Sequence, residues 1–229
     1  MSFTFPTVIF VEGNIGSGKS TLMGNLQKIY QNHPLVEFFD EPVEDWLKFK
    51  DNTSGKNVLE LYYSDPHKYG FMFQNIIVQS KMQKYLKIAC TPEASKKCFI
   101  MERSFFSDFL VFTQLLRENG SLSDIDMQYL QKWFEFCKNE LFHQSTVHVI
   151  YVDVETTVCS ERIAKRLRQG EEGIPIDYLD RIDGYYKKFM ADQTVLPSNR
   201  ATILPATGLT REQVLQEVKS VLDNYVMPL

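Results

Sequence analysis

Gly13-Asn14-Ile15-Gly16-Ser17-Gly18-Lys19-Ser20 matches the pattern G-x-x-x-x-G-K-[ST] and limits the folds open to this chain more than any other feature. It stands between a short apolar run, residues 7–11, and a segment of helical period, residues 19–30. That is the strand–loop–helix setting in which a glycine-rich turn curls its N–H groups inward around phosphate oxygens, with the helix dipole behind them. Lys19 is expected to reach the β and γ phosphates of a nucleoside triphosphate. The Ser20 hydroxyl is the expected magnesium ligand, because Mg²⁺ takes oxygen donors and bridges those phosphates. Asn14, Ile15, Gly16, Ser17, Gly18 and Thr21 complete the expected ATP-binding loop. A glycine turn that only lets a strand enter a helix is the plainer alternative, and both flanks weigh against it.

Four more short apolar runs, residues 36–39, 98–101, 147–152 and 202–204, alternate with longer helical segments. The alternation predicts an α/β fold: a five-stranded parallel sheet flanked by helices, in a three-layer sandwich of the P-loop NTPase type. Asp65-Pro66 offers an N-cap and a first-turn proline for a long helix reaching about residue 89, and further helices are expected after Ser104, Ser123, Glu155, Pro175 and Thr210. Nothing along the 229 residues reads as an interdomain linker, and 44% hydrophobic content suffices for one core, so residues 1–229 are expected to form a single domain. A net charge of −4 argues against a nucleic acid polymer as partner. The four cysteines lack C-x-x-C spacing, which argues against zinc and for reduced thiols. No stretch has the length of a membrane span, and the first strand starts close to Met1, so the expected location is the cytosol or nucleus, without a transit peptide.

In an open parallel sheet, ligands bind beyond the carboxyl ends of the strands. Polar residues follow the second run as Glu41-Pro42-Val43-Glu44-Asp45-Trp46 and the third as Glu102-Arg103-Ser104. Phosphoryl transfer to a hydroxyl needs a proton acceptor and positive charge near the moving group, and Glu41 and Arg103 have those chemistries. Glu102 is a candidate for Mg²⁺, directly or through water. Taken singly, Glu41 could instead cap a helix, and Glu102 with Arg103 could form a surface ion pair. Arg162, Lys165, Arg166 and Arg168 form a local basic cluster suited to phosphates, or else a solvated helix face.

Together these residues resemble the eukaryotic and viral deoxynucleoside kinase family over nearly the whole chain. The resemblance rests on residues 12–21, Glu41-Pro42-Val43 with Trp46, Leu59-Glu60-Leu61-Tyr62-Tyr63 leading into Asp65-Pro66, Phe73-Gln74, and Glu102-Arg103-Ser104. It implies transfer of the γ-phosphate of ATP or another nucleoside triphosphate to the 5′-hydroxyl of a deoxynucleoside, with Mg²⁺ as cofactor, in a homodimer. It further implies that Glu41 is the general base, that Arg103 supports that carboxylate and the phosphoryl, and that Tyr63 meets the sugar 3′-hydroxyl. Gln74 would read the base edge, although a lone glutamine on a long helix is also just a polar spot. Arg162, Arg166 and Arg168 resemble the family's lid over the triphosphate, within residues 162–174, and Glu171 resembles its sugar-binding carboxylate. The segment 171–175 is one residue shorter than the usual lid, which leaves Glu171 and Glu172 both available for that part. Trp46, Phe73, Phe105 and Phe109 read either as walls for a flat base or as core.

Lys81, seven residues after Gln74, and Asp108, five after Arg103, are similar in position to an arginine and an aspartate that face the base in the deoxycytidine and deoxyguanosine kinases. Thymidine-accepting members carry small or apolar residues there. The pair implies a preference for purine deoxynucleosides or deoxycytidine over thymidine; a surface lysine and aspartate that never meet is the alternative. The rival enzyme class is a nucleoside monophosphate kinase, which would want a cation where Glu41 stands. A GTP-hydrolysing switch lacks its N-K-x-D segment here.

Overall fold

The computed structural model describes residues 7–91, 93–168, 170–171, 173–192, 194–196 and 200–226. The five apolar runs form β1 (Thr7–Glu12), β2 (Val36–Phe39), β3 (Cys98–Glu102), β4 (Thr146–Asp153) and β5 (Arg200–Pro205). All ladders are parallel, in the order β2-β3-β1-β4-β5. The central strands β1, β3 and β4 are buried almost throughout, which is why their sequences are continuous apolar runs without alternation.

The helices are α1 (Lys19–Tyr30), α2 (Val43–Trp46), α3 (Val58–Ser64), α4 (Pro66–Ala89), α5 (Phe105–Ser107), α6 (Gln114–Glu118), α7 (Asp124–Phe136), α8 (Thr156–Arg166), α9 (Ile176–Ala191) and α10 (Arg211–Leu222). A π-helical turn, Asp108–Thr113, joins α5 to α6. The sequence signals for helix starts hold: Asp65 accepts from the Lys68 amide, Ser104 caps α5, and Ser123 and Thr210 each form a capping box. α2 and α3 were not among the expected helices, because four and seven residues are too few to show a period.

Right-handed crossovers dictate the layering. The connection from β1 to β2 runs toward one edge of the sheet, whereas those from β2 to β3, β3 to β4 and β4 to β5 run the other way. α1 therefore lies on one face and α4 to α9 on the other. The contacts agree: α1 meets α10, while α4 meets α7, and α9 meets α6, α8 and the π-helical turn. The chain leaves β1 and β3 toward opposite faces, so a crevice opens between their carboxyl ends. Among the described residues no helix is long and apolar enough to cross a membrane. All four thiols are free, and three of them are buried.

Candidate active site

The crevice between β1 and β3 is a cavity of about 490 Å³. The glycine loop, Lys19 and Ser20 line it together with Glu41, Glu102 and Arg103; Trp46, Tyr63, Phe73 and Gln74; and Arg162, Arg166, Arg168 and Glu171. Residues from Ile15 to Glu171 thus meet at one place, at the carboxyl ends of the strands and on the segments that cover them.

Gly16 explains the loop's shape. Its φ of 80° is open mainly to glycine, and a Cβ there would stand 2.4 Å from the Cys159 carbonyl oxygen on α8. The loop is thereby packed directly on the helix that carries Arg162, whose Nη1 donates to the Ser17 carbonyl at 2.9 Å. Lys19 donates to the Gly13 and Asn14 carbonyls at 2.9 and 2.7 Å. Burial first, and Arg103 second, lower its ammonium to about 8. The Asn14 side chain turns away from the cavity: its amide donates to the Leu179 carbonyl on α9 at 2.9 Å, and its oxygen accepts from the Ile15 amide. Asn14, expected in the ATP-binding loop, therefore does not line the cavity; its carbonyl is taken by Lys19.

Arg103 is the centre of the polar network. Its Nε lies 3.1 Å from Glu41, its Nη1 donates to the Tyr186 hydroxyl at 2.8 Å, and its guanidinium covers the Phe112 ring at 4.8 Å. Its φ of 59° is a conformation that non-glycine residues seldom hold without support. The surface ion pair between Glu102 and Arg103 does not form; both are buried, and they point to different partners. Burial would raise the Glu41 carboxyl, but Arg103, Lys81, Lys19 and Arg168 outweigh it and hold the group below its ordinary value. Glu102 moves the other way: burial and then the Glu41 charge push it up. The Ser20 hydroxyl donates to Glu102 at 2.8 Å, so the two candidate magnesium ligands stand side by side.

Part of the cavity wall is aromatic. The Trp46 indole N–H donates to Ser80 at 2.9 Å, and its ring meets the Phe73 edge at 5.6 Å. Gln74 is buried, with its oxygen accepting from the Thr113 hydroxyl at 3.3 Å. Phe105 and Phe109 do not line this cavity. Phe105 stacks with Phe142 in the main core and Phe109 with Phe134, as the packing alternative had it. Lys81 and Asp108 meet in a buried ion pair at 2.6 Å, so the alternative of two unpaired surface charges fails. Asp108 lines the main cavity, while Lys81 lines only a smaller adjoining space of about 30 Å³. Burial, partly offset by Lys81, raises the Asp108 carboxyl to about 6.

On the segment expected to form the lid, Arg166 and Arg168 both pair with the buried Glu171, the latter at 3.1 Å. Leu167 between them adopts φ 51° as it ends α8. Lys165 lines the cavity with its neighbours. Glu172, the other candidate lid carboxylate, and Gln169 lie outside the described residues.

The sequence that builds this site has relatives among known proteins. The family model described as "Deoxynucleoside kinase" matches residues 9–223. The chain belongs to the deoxynucleoside kinase family. Human mitochondrial thymidine kinase 2 is 27% identical over 222 residues, which cover 97% of this chain and 78% of that one. Chicken deoxycytidine kinase 2 is 30% identical over 203 residues, 82% of this chain and 75% of that protein. The mitochondrial deoxyguanosine kinase of Xenopus laevis is 28% identical over 196 residues, covering 80% and 73%.

Several residues of this deoxynucleoside kinase site gave no sequence signal. Phe112 lines the cavity beneath Arg103, and only the π-helical turn, invisible in the sequence, turns it there. Tyr178 on α9 joins Tyr62 through a hydroxyl pair at 3.0 Å and packs edge-on to Tyr63. Leu209, Arg211 and Val214, from the start of α10 and the turn before it, also line the cavity. The capping signal at Thr210 located that helix, but nothing in it marked a ligand surface.

Proposed function

We propose that this chain transfers the γ-phosphate of ATP, or of another nucleoside triphosphate, to the 5′-hydroxyl of a deoxynucleoside. One observation carries the reading: Glu41 opens into the same cavity as Lys19 and the glycine loop, and Arg103 fixes its carboxylate at 3.1 Å. In this reading the loop amides and Lys19 hold the β and γ phosphates, and Arg162, Arg166 and Arg168 close over them. Glu41, ionised at neutral pH because its neighbours are cationic, accepts the hydroxyl proton. Arg103 orients that carboxylate and offsets charge on the transferred group. Tyr63 and Glu171 receive the sugar, Trp46 and Phe73 flank the base, and Gln74 pairs with its edge.

Ser20 and Glu102 are the residues that would hold Mg²⁺. They offer hard oxygen donors 2.8 Å apart, and a cation would relieve the burial that raises Glu102. When bound, the ion supplies charge neutralisation at the phosphate oxygens.

For the base, the reading favours purine deoxynucleosides or deoxycytidine over thymidine. Support comes from the buried Lys81–Asp108 pair, which sets a charged group against the base slot. Lys81 acts there through Asp108, since only Asp108 reaches the cavity. A homodimer belongs to the same reading. It is supported by exposed apolar side chains on the mutually packed α4 and α7, namely Met72, Ile125, Tyr129 and Phe136. Sedimentation at assay concentrations should give a two-chain species, and a monomer would remove that part.

The direct test of the central role is Glu41→Gln. It keeps the shape of the site and should lower turnover by about 10²-fold or more while leaving nucleoside affinity largely intact. Near-normal turnover would unseat Glu41.

A further inference from the structure

Glu12 ends β1, immediately before the glycine loop, and is fully buried, yet no step above uses its charge. A buried carboxylate is retained only with partners. Glu12 has three donors: the Ser104 amide at 2.8 Å and the Ser104 hydroxyl at 2.5 Å on Oε1, and the Tyr186 hydroxyl at 2.9 Å on Oε2. Tyr186, also fully buried, passes the chain onward, because its oxygen accepts from Arg103 Nη1 at 2.8 Å and Arg103 Nε meets Glu41. Neither Glu12 nor Tyr186 lines the cavity.

We propose that Glu12 and Tyr186 are positioning residues that aim Arg103 at Glu41, without touching either substrate. The backbone at Arg103 is what needs them. Its left-handed φ of 59° is strained for a side-chain-bearing residue and survives only where the surroundings over-determine it. Here the Arg103 amide is held by the Val11 carbonyl at 3.1 Å, and the next amide, that of Ser104, by Glu12. The two anchors are adjacent residues of β1, so the strand under the phosphate loop also sets the turn that carries Arg103. The side chain is fixed by Tyr186, whose ring stacks on Tyr151 at 5.0 Å and cannot swing away. With both ends of the guanidinium engaged, Arg103 approaches Glu41 along one line only.

The inference rests on Glu41 being the acting carboxylate, and the experiment separates the two. Tyr186→Phe keeps the stacked ring and removes only the hydroxyl. It should lower kcat about tenfold, the usual size for a hydrogen bond to a charged group, with KM for ATP and for the nucleoside within about twofold. Placed in the Glu41→Gln background, the same substitution should cost clearly less than in the native background, because only the offsetting of charge on the transferred group is then left for Arg103 to do. Glu12→Gln, which keeps the side-chain shape but offers an amide to donors, should reproduce the fall in kcat. An equal loss from Tyr186→Phe in both backgrounds marks a merely structural hydroxyl and overturns the proposal. Unchanged turnover in Tyr186→Phe beside a disabled Glu41→Gln overturns it alone, leaving the role of Glu41 standing. If Glu41→Gln itself turns over normally, the role of Glu41 fails and this proposal falls with it.

Discussion

Lys19 is buried against loop carbonyls, and its ammonium is lowered to about 8, by burial first and then by Arg103. The sign of the consequence follows directly. As pH rises through about 8 the free enzyme loses the Lys19 charge, whereas a bound triphosphate restores it by supplying anionic partners. kcat/KM for the donor, which reports the free enzyme, should therefore fall above about 8, while kcat, which reports the bound complex, persists to higher pH. Glu41 is shifted below its ordinary value, so it adds no loss on the acid side until pH falls beneath the usual carboxylate range. Initial rates against pH check both limbs; a kcat/KM that stays flat through the region around 8 would contradict the burial argument for Lys19. The same local physics explains what the sequence could not reveal about single residues. Lys81 and Asp108 lie at readable helix positions, but which of them faces the cavity depends on the π-helical turn. Glu12 and Tyr186 are 174 positions apart, and only folding makes them partners.

Among the elements, α3 brings Leu59, Tyr62 and Tyr63 to the cavity wall, although it has only seven residues and could not stand alone. Asn57 holds its start: the side-chain oxygen accepts from the Leu59 and Glu60 amides, while Glu60 accepts from the Asn57 amide. Asn57→Ala should cost about 1 kcal/mol, as for other caps. Because Tyr63 moves with this helix, KM for the nucleoside should rise more than KM for ATP, as steady-state kinetics on the variant will show. Equal changes in both would mean that α3 does not shape the acceptor half. Elements were legible where burial wrote a pattern: the strands buried on both faces, and helices whose starts carry caps, such as α4, α7 and α10. α3 also carried its signal, the Asn57–Glu60 capping box, but a seven-residue helix shows no period to accompany it. α2 has no side-chain cap; it packs on α4, and its Val43 and Trp46 are buried in one apolar cluster with residues of α3 and α4.

At the scale of the whole molecule, one parallel sheet with a reversal between β1 and β3 brings the glycine loop and Glu41 to the same crevice. The sequence motifs singled out both sets of residues, and the strand order, fixed by crossovers and not by any motif, makes them neighbours. α8 and α9 pack against the glycine loop from one side, with Gly16 close to Cys159 and Asn14 tied to Leu179. The relatives are named for thymidine, deoxycytidine and deoxyguanosine, three nucleosides that differ in the base. Incubating the enzyme with terminally radiolabelled ATP and a panel of the four deoxynucleosides and their 5′-monophosphates tests the account most directly. It predicts label on the deoxynucleosides, appearing as monophosphates, with purines or deoxycytidine ahead of thymidine and none passed to the monophosphates. Efficient labelling of the monophosphates, with the nucleosides left untouched, would contradict it.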